Sequence, residues 1–400
     1  MRRIGILTFV WGYNPGTLLQ ADAVRILFQR RFPDAQVSII NYQPGARRRK
    51  PSLNVFGMRN ARRTWQVFRQ TRAFDQFRRG RLGLVSTPVR THEYRAALAS
   101  VIAEDFDAIV VGSDQVWEIT PDDRKVPVPF PNVFWLGPEV PARKYACAAS
   151  AGATDTTLLP DPTREQVRTL AANFDLVGVR DEITESMMRD FAVVEAERIV
   201  RMPDPTFGVD FPETSIAARL RTRGLDLERP IVGVGLADRL GIRRIVVEEL
   251  LSRDYQILSI GQAPMREREV VDSPAISPYE WADVFRFLTL TITDRFHASV
   301  FSLKHAVPFI GIDLSPHRMT SGGASKIETL VKEIGIPAGL RFAGDEVAAD
   351  PTRLTKAIDS LLSDYDRKQV VECQAPLRNR IETYLDRVAQ IEVGDSRTAA

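Results

Sequence analysis

Short apolar runs alternate with longer amphipathic stretches along almost the whole chain, the pattern of strands and helices in successive β/α units. Ile4 to Phe9 reads as a first strand, and Thr17 to Arg31 as a helix with apolar positions at Leu18, Leu19, Ala21, Val24, Leu27 and Phe28. Strands are predicted at Gln36 to Asn41, Ala108 to Val111, Tyr145 to Gly152 and Leu176 to Asp181, with helices over Thr91 to Asp105 and Thr163 to Asn173. The alternation resumes after Arg201-Met202-Pro203-Asp204-Pro205-Thr206-Phe207, a stretch stiffened by two prolines that reads as a connection between domains. Pro230 to Gly235 and Gln256 to Ile260 read as strands around a helix at Ile242 to Leu251. Thr291 to Thr293 and Pro308 to Asp313 are two further buried strands joined by a short apolar helix. Helices over Ile327 to Ile334, Pro351 to Leu362 and Asp364 to about Ile391 precede a polar tail. The fold class is therefore α/β with parallel sheets flanked by helices.

The chain has 400 residues, too many for one compact core, and divides into an expected N-terminal domain over 1–207 and a C-terminal domain over 208–400 that includes the last helices. A basic insertion over about 45–81 interrupts the first domain. It holds Arg47, Arg48, Arg49, Lys50, Arg59, Arg62, Arg63, Arg69, Arg72, Arg78, Arg79 and Arg81 against the single acid Asp75, with Phe56, Trp65, Phe68, Phe74 and Phe77 interleaved. Such a helical arm suits an anionic membrane surface, a phosphorylated lipid carrier or nucleic acid, or else it packs its aromatics inward and solvates its arginines. With 54 basic and 51 acidic residues overall, global charge does not argue for nucleic acid, and none is expected as a partner. Peripheral membrane contact through 45–81 is kept as an expectation.

Cys147 and Cys373 form no ligand pattern and fit a reducing, cytoplasmic setting. The opening Met1 to Val10 imitates a signal peptide, but its apolar run is short and ends at Trp11-Gly12-Tyr13-Asn14-Pro15 without a small-residue cleavage site. No apolar run reaches the roughly 18 residues that a spanning helix needs.

Candidate chemistry collects at strand ends, where open parallel sheets bind ligands. Asp294-Arg295-Phe296-His297 places a cation and an imidazole after one buried strand. Gly112-Ser113-Asp114-Gln115-Val116-Trp117 follows another, a dense polar cluster or else an Asp cap before a core tryptophan. Arg180 ends a third, where it can fork onto phosphate or carboxylate or pair with Asp181 or Glu182. Tyr13-Asn14-Pro15-Gly16 leads into a helix whose free N–H groups can face an anion or a sugar hydroxyl, or is simply a turn. Gly233-x-Gly235 lacks the third glycine of a dinucleotide fingerprint, and Ser321 to Lys326 fails the spacing of a phosphate loop. No His/Asp/Glu cluster has metal-ligand spacing, so no metal is expected; His92, His305 and His317 read as structural or surface residues.

Tyr13-Asn14-x-Gly16 with Leu19-Gln20-Ala21, Gly112-Ser113-Asp114-Gln115-x-Trp117, Val179-Arg180-Asp181, Asp204-Pro205-Thr206 and Thr293-Asp294-Arg295-Phe296-His297-Ala298-Ser299 together resemble the polysaccharide pyruvyl transferase family, in order, from about residue 4 to about 342. The resemblance implies two Rossmann-like domains facing a cleft, as in GT-B glycosyltransferases. It also implies phosphoenolpyruvate as donor, a glycan or lipid-linked saccharide as acceptor, a pyruvate ketal as product, and no cofactor beyond the donor. On that basis His297 and Asp114 are expected to be catalytic. Arg295, Arg180 and Ser150 are expected to hold the donor's phosphate and carboxylate, and Asn14, Gln20, Gln115 and Trp117 the acceptor. Two alternatives stand beside it. One is a GT-B glycosyltransferase using a nucleotide sugar, with Glu267, Glu269 and Glu280 as the acids available; the other is a non-catalytic glycan-binding protein.

Overall fold

The computed structural model describes residues 1–43, 61–85, 88–120, 128–192, 194–261, 265, 267, 269–273, 276–314, 325–334 and 339–394. Residues 45–60 of the basic insertion, part of the Pro121 to Pro141 loop, His317, most of Ser321 to Lys326 and the end of the polar tail lie outside them.

The first half runs β1 (Arg3–Leu7), α1 (Pro15–Arg31), β2 (Gln36–Ile39), α2 (Ala61–Arg81), α3 (Tyr94–Ile102), β3 (Ala108–Val111), β4 (Arg143–Ala149), α4 (Asp161–Ala171), β5 (Leu176–Val179), α5 (Glu182–Ser186) and β6 (Ile199–Arg201). The second runs α6 (Ile216–Arg221), β7 (Ile231–Gly235), α7 (Ile242–Ser252), β8 (Gln256–Ser259), β9 (Val270–Asp272), α8 (Pro278–Val284), β10 (Leu290–Thr293) and α9 (Phe296–Lys304). It continues through β11 (Phe309–Asp313), α10 (Lys326–Ile334), β12 (Gly339–Ala343), α11 (Gly344–Ala349), α12 (Thr352–Ser363), α13 (Arg367–Glu372) and α14 (Gln374–Gly394).

All strand pairs are parallel, in two sheets ordered β2-β1-β3-β4-β5-β6 and β12-β11-β10-β7-β8-β9. Their central strands are buried along their length, which is why they read as continuous apolar runs rather than alternating ones. Each order reverses direction once, between β1 and β3 in the first sheet and between β7 and β10 in the second. Such a switch point opens a crevice at the carboxyl ends of its strands.

Helix α1 joins the halves. Pro15 to Val24 are all buried, because the helix packs on the first sheet and also against α8. Leu19 shares a core with Ile216, Trp281 and Phe301 of the second half, while Leu27 and Phe28 belong to the core of the first. The buried Asp22 accepts a hydrogen bond from Tyr279 Oη and pairs with Arg25. The sequence reading started this helix at Thr17; it starts at Pro15, whose absent N–H is no loss in a first turn.

Three expectations need correction. The long final helix is broken: Pro376 cannot donate to the carbonyl of Glu372, so α13 stops and α14 begins at Gln374. That last helix also packs on the first half, while Gln374 and Arg380 tie it to Leu303 and Glu333 of the second. Leu377, Ile381, Tyr384, Leu385 and Val388 join the core of Phe28, Tyr145, Leu176 and Met202, and Tyr384 Oη donates to Ala146 O at 2.6 Å. A side chain at Gly178 would meet Met202 Sδ at 2.6 Å and Tyr384 Cε2 at 2.9 Å, so the fit of α14 depends on glycine there. The helix predicted over Thr91 to Asp105 is shorter, since Glu93 caps Arg95 N and Ala96 N. Among the described residues no helix is long and apolar enough to cross a membrane.

The packing of α14 sets a stability test. Leu385→Ala should lower unfolding stability by roughly 2–5 kcal/mol, whereas Val371→Ala, at an exposed site in α13, should change it by less than about 0.5 kcal/mol. Urea unfolding followed by circular dichroism measures both.

Candidate active site

The two crevices open onto one cavity of about 350 Å³. The first half supplies Asn14, Pro15, Asp114, Gln115, Glu118 and Arg180; the second supplies Gly235, Ile260, Gly261, Trp281, Asp313, Lys326, Ile327 and the run from Thr293 to Ala298. Asn14 and Asp114 follow β1 and β3, while Gly235 and Thr293 end β7 and β10, so both switch points face the same space.

Backbone chemistry sets each wall. Asn14 caps α1, its side chain accepting from Gly16 N at 3.1 Å. Asp114 has φ of 81°, a left-handed conformation that Asp tolerates better than most residues. Its Oδ1 accepts from Gln115 N at 2.9 Å and its Oδ2 from Thr17 Oγ1 at 3.1 Å, so the carboxylate is fixed from two directions. Across the cavity, Thr293 Oγ1 donates to Gly235 O at 3.1 Å and accepts from Arg295 N at 3.0 Å, which fixes the turn after β10. Arg295 Nε lies 2.9 Å from Asp294 Oδ1, and its half-exposed side chain stands at the cavity wall. His297 then enters the first turn of α9 and meets the first turn of α1. A methyl group on Gly16 would lie 2.1 Å from His297 Cγ, so only glycine permits this approach.

Arg180 is buried between two carboxylates, with Nη2 3.9 Å from Asp114 Oδ1 and Nη1 3.6 Å from Asp204 Oδ2. The ring of Phe296, from the second half, lies 5.2 Å from its Cζ. His297 Nε2 is 3.8 Å from the same Asp204 Oδ2, too far for a hydrogen bond. Among the described residues neither Arg180 Nη1 nor His297 Nε2 has a hydrogen-bond partner, although both are buried. Buried polar atoms are nearly always satisfied, so two unsatisfied nitrogens on residues of the cavity wall, both next to Asp204, are unusual.

The charges shift one another. Burial lowers the pKa of His297 below its ordinary value; Asp204 and Asp114 pull it back up, while Arg180 and Lys326 push it down further. Burial, aided by Arg180, brings Lys326 down to about 8 against the opposing pull of Asp114, Glu118 and Asp181. Asp114 resists burial because Arg180, His297 and Lys326 outweigh it, and its carboxyl stays below the usual range. Glu118 goes the other way, raised chiefly by burial. The cavity thus offers a neutral imidazole, two arginines, a lysine of lowered basicity, one firmly ionised carboxylate and one of raised proton affinity.

Of the residues expected from the sequence, His297, Asp114, Arg295, Arg180, Asn14 and Gln115 stand in the cavity wall. Three do not. Trp117 is fully buried, stacked on Trp135 at 5.0 Å, with Nε1 donating to Phe134 O, so it has no face for a sugar. Gln20 is buried and donates to Asp204, which makes it a support for Arg180 and His297. Ser150 is buried behind the wall, its Oγ accepting from Gly152 N and its backbone N–H donating to Asp114 O, so it shapes the loop and does not line the cavity. Sequence reasoning missed Lys326, Glu118 and Asp204. His305 caps α9 away from the cavity and His92 is exposed, as expected of them. Glu267 and Glu280 engage Arg243 and Arg219 outside the cavity wall. Among the described residues no group of three His, Cys, Asp or Glu side chains could hold a metal ion.

The electrostatics yield a spectroscopic prediction. The imidazole of His297, followed by NMR, should titrate below about 6.5, and Asp204→Asn should lower it further because a negative charge that favours the imidazolium has gone. An upward shift would show that Asp204 does not act on this ring.

Several solved structures share the architecture. Anabaena Alr3699/HepE in complex with UDP matches at 12% identity over 98% of this chain and 100% of that one, with a TM-score of 0.54. A glycosyltransferase from Rickettsia africae matches at 11% identity over 98% and 97%, and the UDP-GlcNAc 2-epimerase of Methanocaldococcus jannaschii at 10% over 92% and 94%, each with a TM-score of 0.53. At these identities the likeness is one of fold, the GT-B arrangement of two Rossmann-like units. No curated protein sequence matches significantly. The profile of the polysaccharide pyruvyl transferases matches residues 14–316, a span from the cap of α1 past the end of β11 that holds every cavity residue named above except Lys326 and Ile327, and the chain belongs to that family.

Proposed function

We propose that this protein transfers the pyruvyl group of phosphoenolpyruvate to two hydroxyls of a glycan, giving a cyclic ketal and releasing phosphate. The observation that carries the reading is the convergence of Arg180, Lys326, Arg295 and His297 from both halves on one cavity, with Arg180 Nη1 and His297 Nε2 unsatisfied. A donor with a phosphate and a carboxylate needs at least two separate cationic contacts, and guanidinium groups fork onto both.

The reaction balances with the groups available. The methylene carbon of the donor gains a proton and becomes the methyl group, leaving C2 electrophilic. One hydroxyl oxygen bonds to C2, the bond from C2 to the phosphate oxygen breaks, and the second hydroxyl oxygen closes the ring. Of the two hydroxyl protons, one ends on the methyl carbon and one on phosphate. His297, neutral before the donor binds, is suited to carry the first, because a dianionic phosphate beside it raises its proton affinity. Asp114, held ionised, orients the acceptor by accepting from its hydroxyls, and Glu118, with its raised proton affinity, serves as the second proton carrier. Asn14 and Gln115 complete the acceptor side. The proposal assigns no metal or cofactor. Two free cysteines agree with a cytoplasmic workplace, and a lipid-linked acceptor would put the cleft at the inner face of a membrane.

Incubating the protein with phosphoenolpyruvate and a panel of glycans should release phosphate and add one pyruvate ketal to the mass of the acceptor. Turnover only with nucleotide sugars would refute the proposal. His297→Ala should cost about 10²–10⁴-fold in kcat with the fold retained. Activity should also depend on pH through Lys326: its charge is present below about 8 and lost above it, so KM for phosphoenolpyruvate should rise as pH passes through that value. Lys326→Arg should carry this rise to higher pH, since guanidinium stays charged.

A further inference from the structure

Helix α2 uses two faces differently. Phe74 and Phe77 are buried, against Tyr13 and Tyr279, and Arg78 reaches back to donate to Val10 O and Gly12 O beneath the loop that ends in Asn14. Gln70 bonds the backbone of Ile276 in both directions, at 2.8 Å and 3.0 Å, so the helix also ties the second half. The inward side is therefore fully occupied by the protein itself.

The outward side is not. Trp65, Phe68, Arg69, Arg72, Gln76 and Arg79 are exposed and recur at the spacing of one helical face. Trp65 is 61% and Phe68 47% exposed, and the two rings stack at 5.6 Å. Large aromatics left in water are unusual, and among the described residues no other tryptophan or phenylalanine is exposed. Among the described residues Arg69, Arg72 and Arg79 form no ion pair, and the one acid of the helix, Asp75, is engaged by Arg78 on the inward side.

We propose that this face of α2 docks the protein on an anionic lipid surface, with Trp65 and Phe68 entering the interface and Arg69, Arg72 and Arg79 meeting the headgroups. An aromatic pair beside a row of cations on a rigidly anchored helix matches an interface that is apolar below and negative above. The two independent anchors of α2, on the loop before Asn14 and on Ile276, would then hold the cleft at a fixed distance from the bilayer. This proposal stands apart from the transfer reaction, because binding is measured without turnover.

Flotation of the full chain with phosphatidylcholine vesicles, with and without phosphatidylglycerol, tests it at low and high salt. Binding should require the anionic lipid and weaken with salt. Arg69→Gln, Arg72→Gln and Arg79→Gln should each lower the partition coefficient about five-fold. Trp65→Ser with Phe68→Ser should abolish quenching of tryptophan fluorescence by brominated lipid while thermal stability is unchanged. Should the arginine variants unfold, this aromatic variant decides alone. Equal binding to neutral vesicles, no binding at low salt, variants that bind as the parent does, or tighter binding to a single-stranded oligonucleotide than to vesicles would each overturn the proposal.

Discussion

Arg180 is a buried cation whose partners come from three different places. Asp114 follows β3, Asp204 follows β6, and the ring of Phe296 reaches it from the other half of the molecule. The same Asp204 lies beside His297, and Gln20 of α1 holds it from behind. A buried charge that loses one partner is strongly destabilising, by about 3–5 kcal/mol, so the register of the two halves is tied to this cluster. Most of the features that build the cavity serve to hold it: glycine at position 16 so that the imidazole can approach, Thr17 on Asp114, and Thr293 on the turn before Arg295. Among the described residues the cluster is left incomplete at Arg180 Nη1 and His297 Nε2, which both lie beside Asp204 Oδ2.

How much of this was legible depends on where a residue sits relative to a strand end. Asn14, Asp114, Arg180, Arg295 and His297 all follow strands that read clearly as buried runs, and parallel sheets bring such positions to one edge. The fold class followed from the same alternation. Trp117 failed because the chain turns at Asp114: after a residue with φ of 81°, Gln115 and Glu118 face the cavity and Trp117 faces Trp135 and Phe174. Side-chain direction after a left-handed residue cannot be read from strand periodicity. Lys326 was hidden for another reason. Its loop fails every local spacing rule, and its placement beside Arg180, Asp114 and Glu118 arises only from the packing of α10 under β11, where Gly311 admits Ile327. The return of α14 to the first half is likewise a tertiary fact, carried by Gly178 and Tyr384 and by no local signal.

The electrostatic pattern makes chemical sense as a resting state. Burial lowers the basicity of His297 and Lys326, and the neighbouring cations add to the effect. The anionic donor of the proposed reaction would reverse both tendencies, so its binding and the protonation of these two groups would be thermodynamically linked. Under the proposed function groups from opposite halves would take part, and the donor would bridge the sheets as well as react.

Calorimetric titration of phosphoenolpyruvate, and separately of UDP, into the parent protein and into Arg180→Ala and Lys326→Ala tests that bridge most directly. The account predicts saturable binding of phosphoenolpyruvate, with affinity lost on removing either cation although they belong to different halves. Binding of UDP in its place, or phosphoenolpyruvate affinity that survives both substitutions, would contradict it.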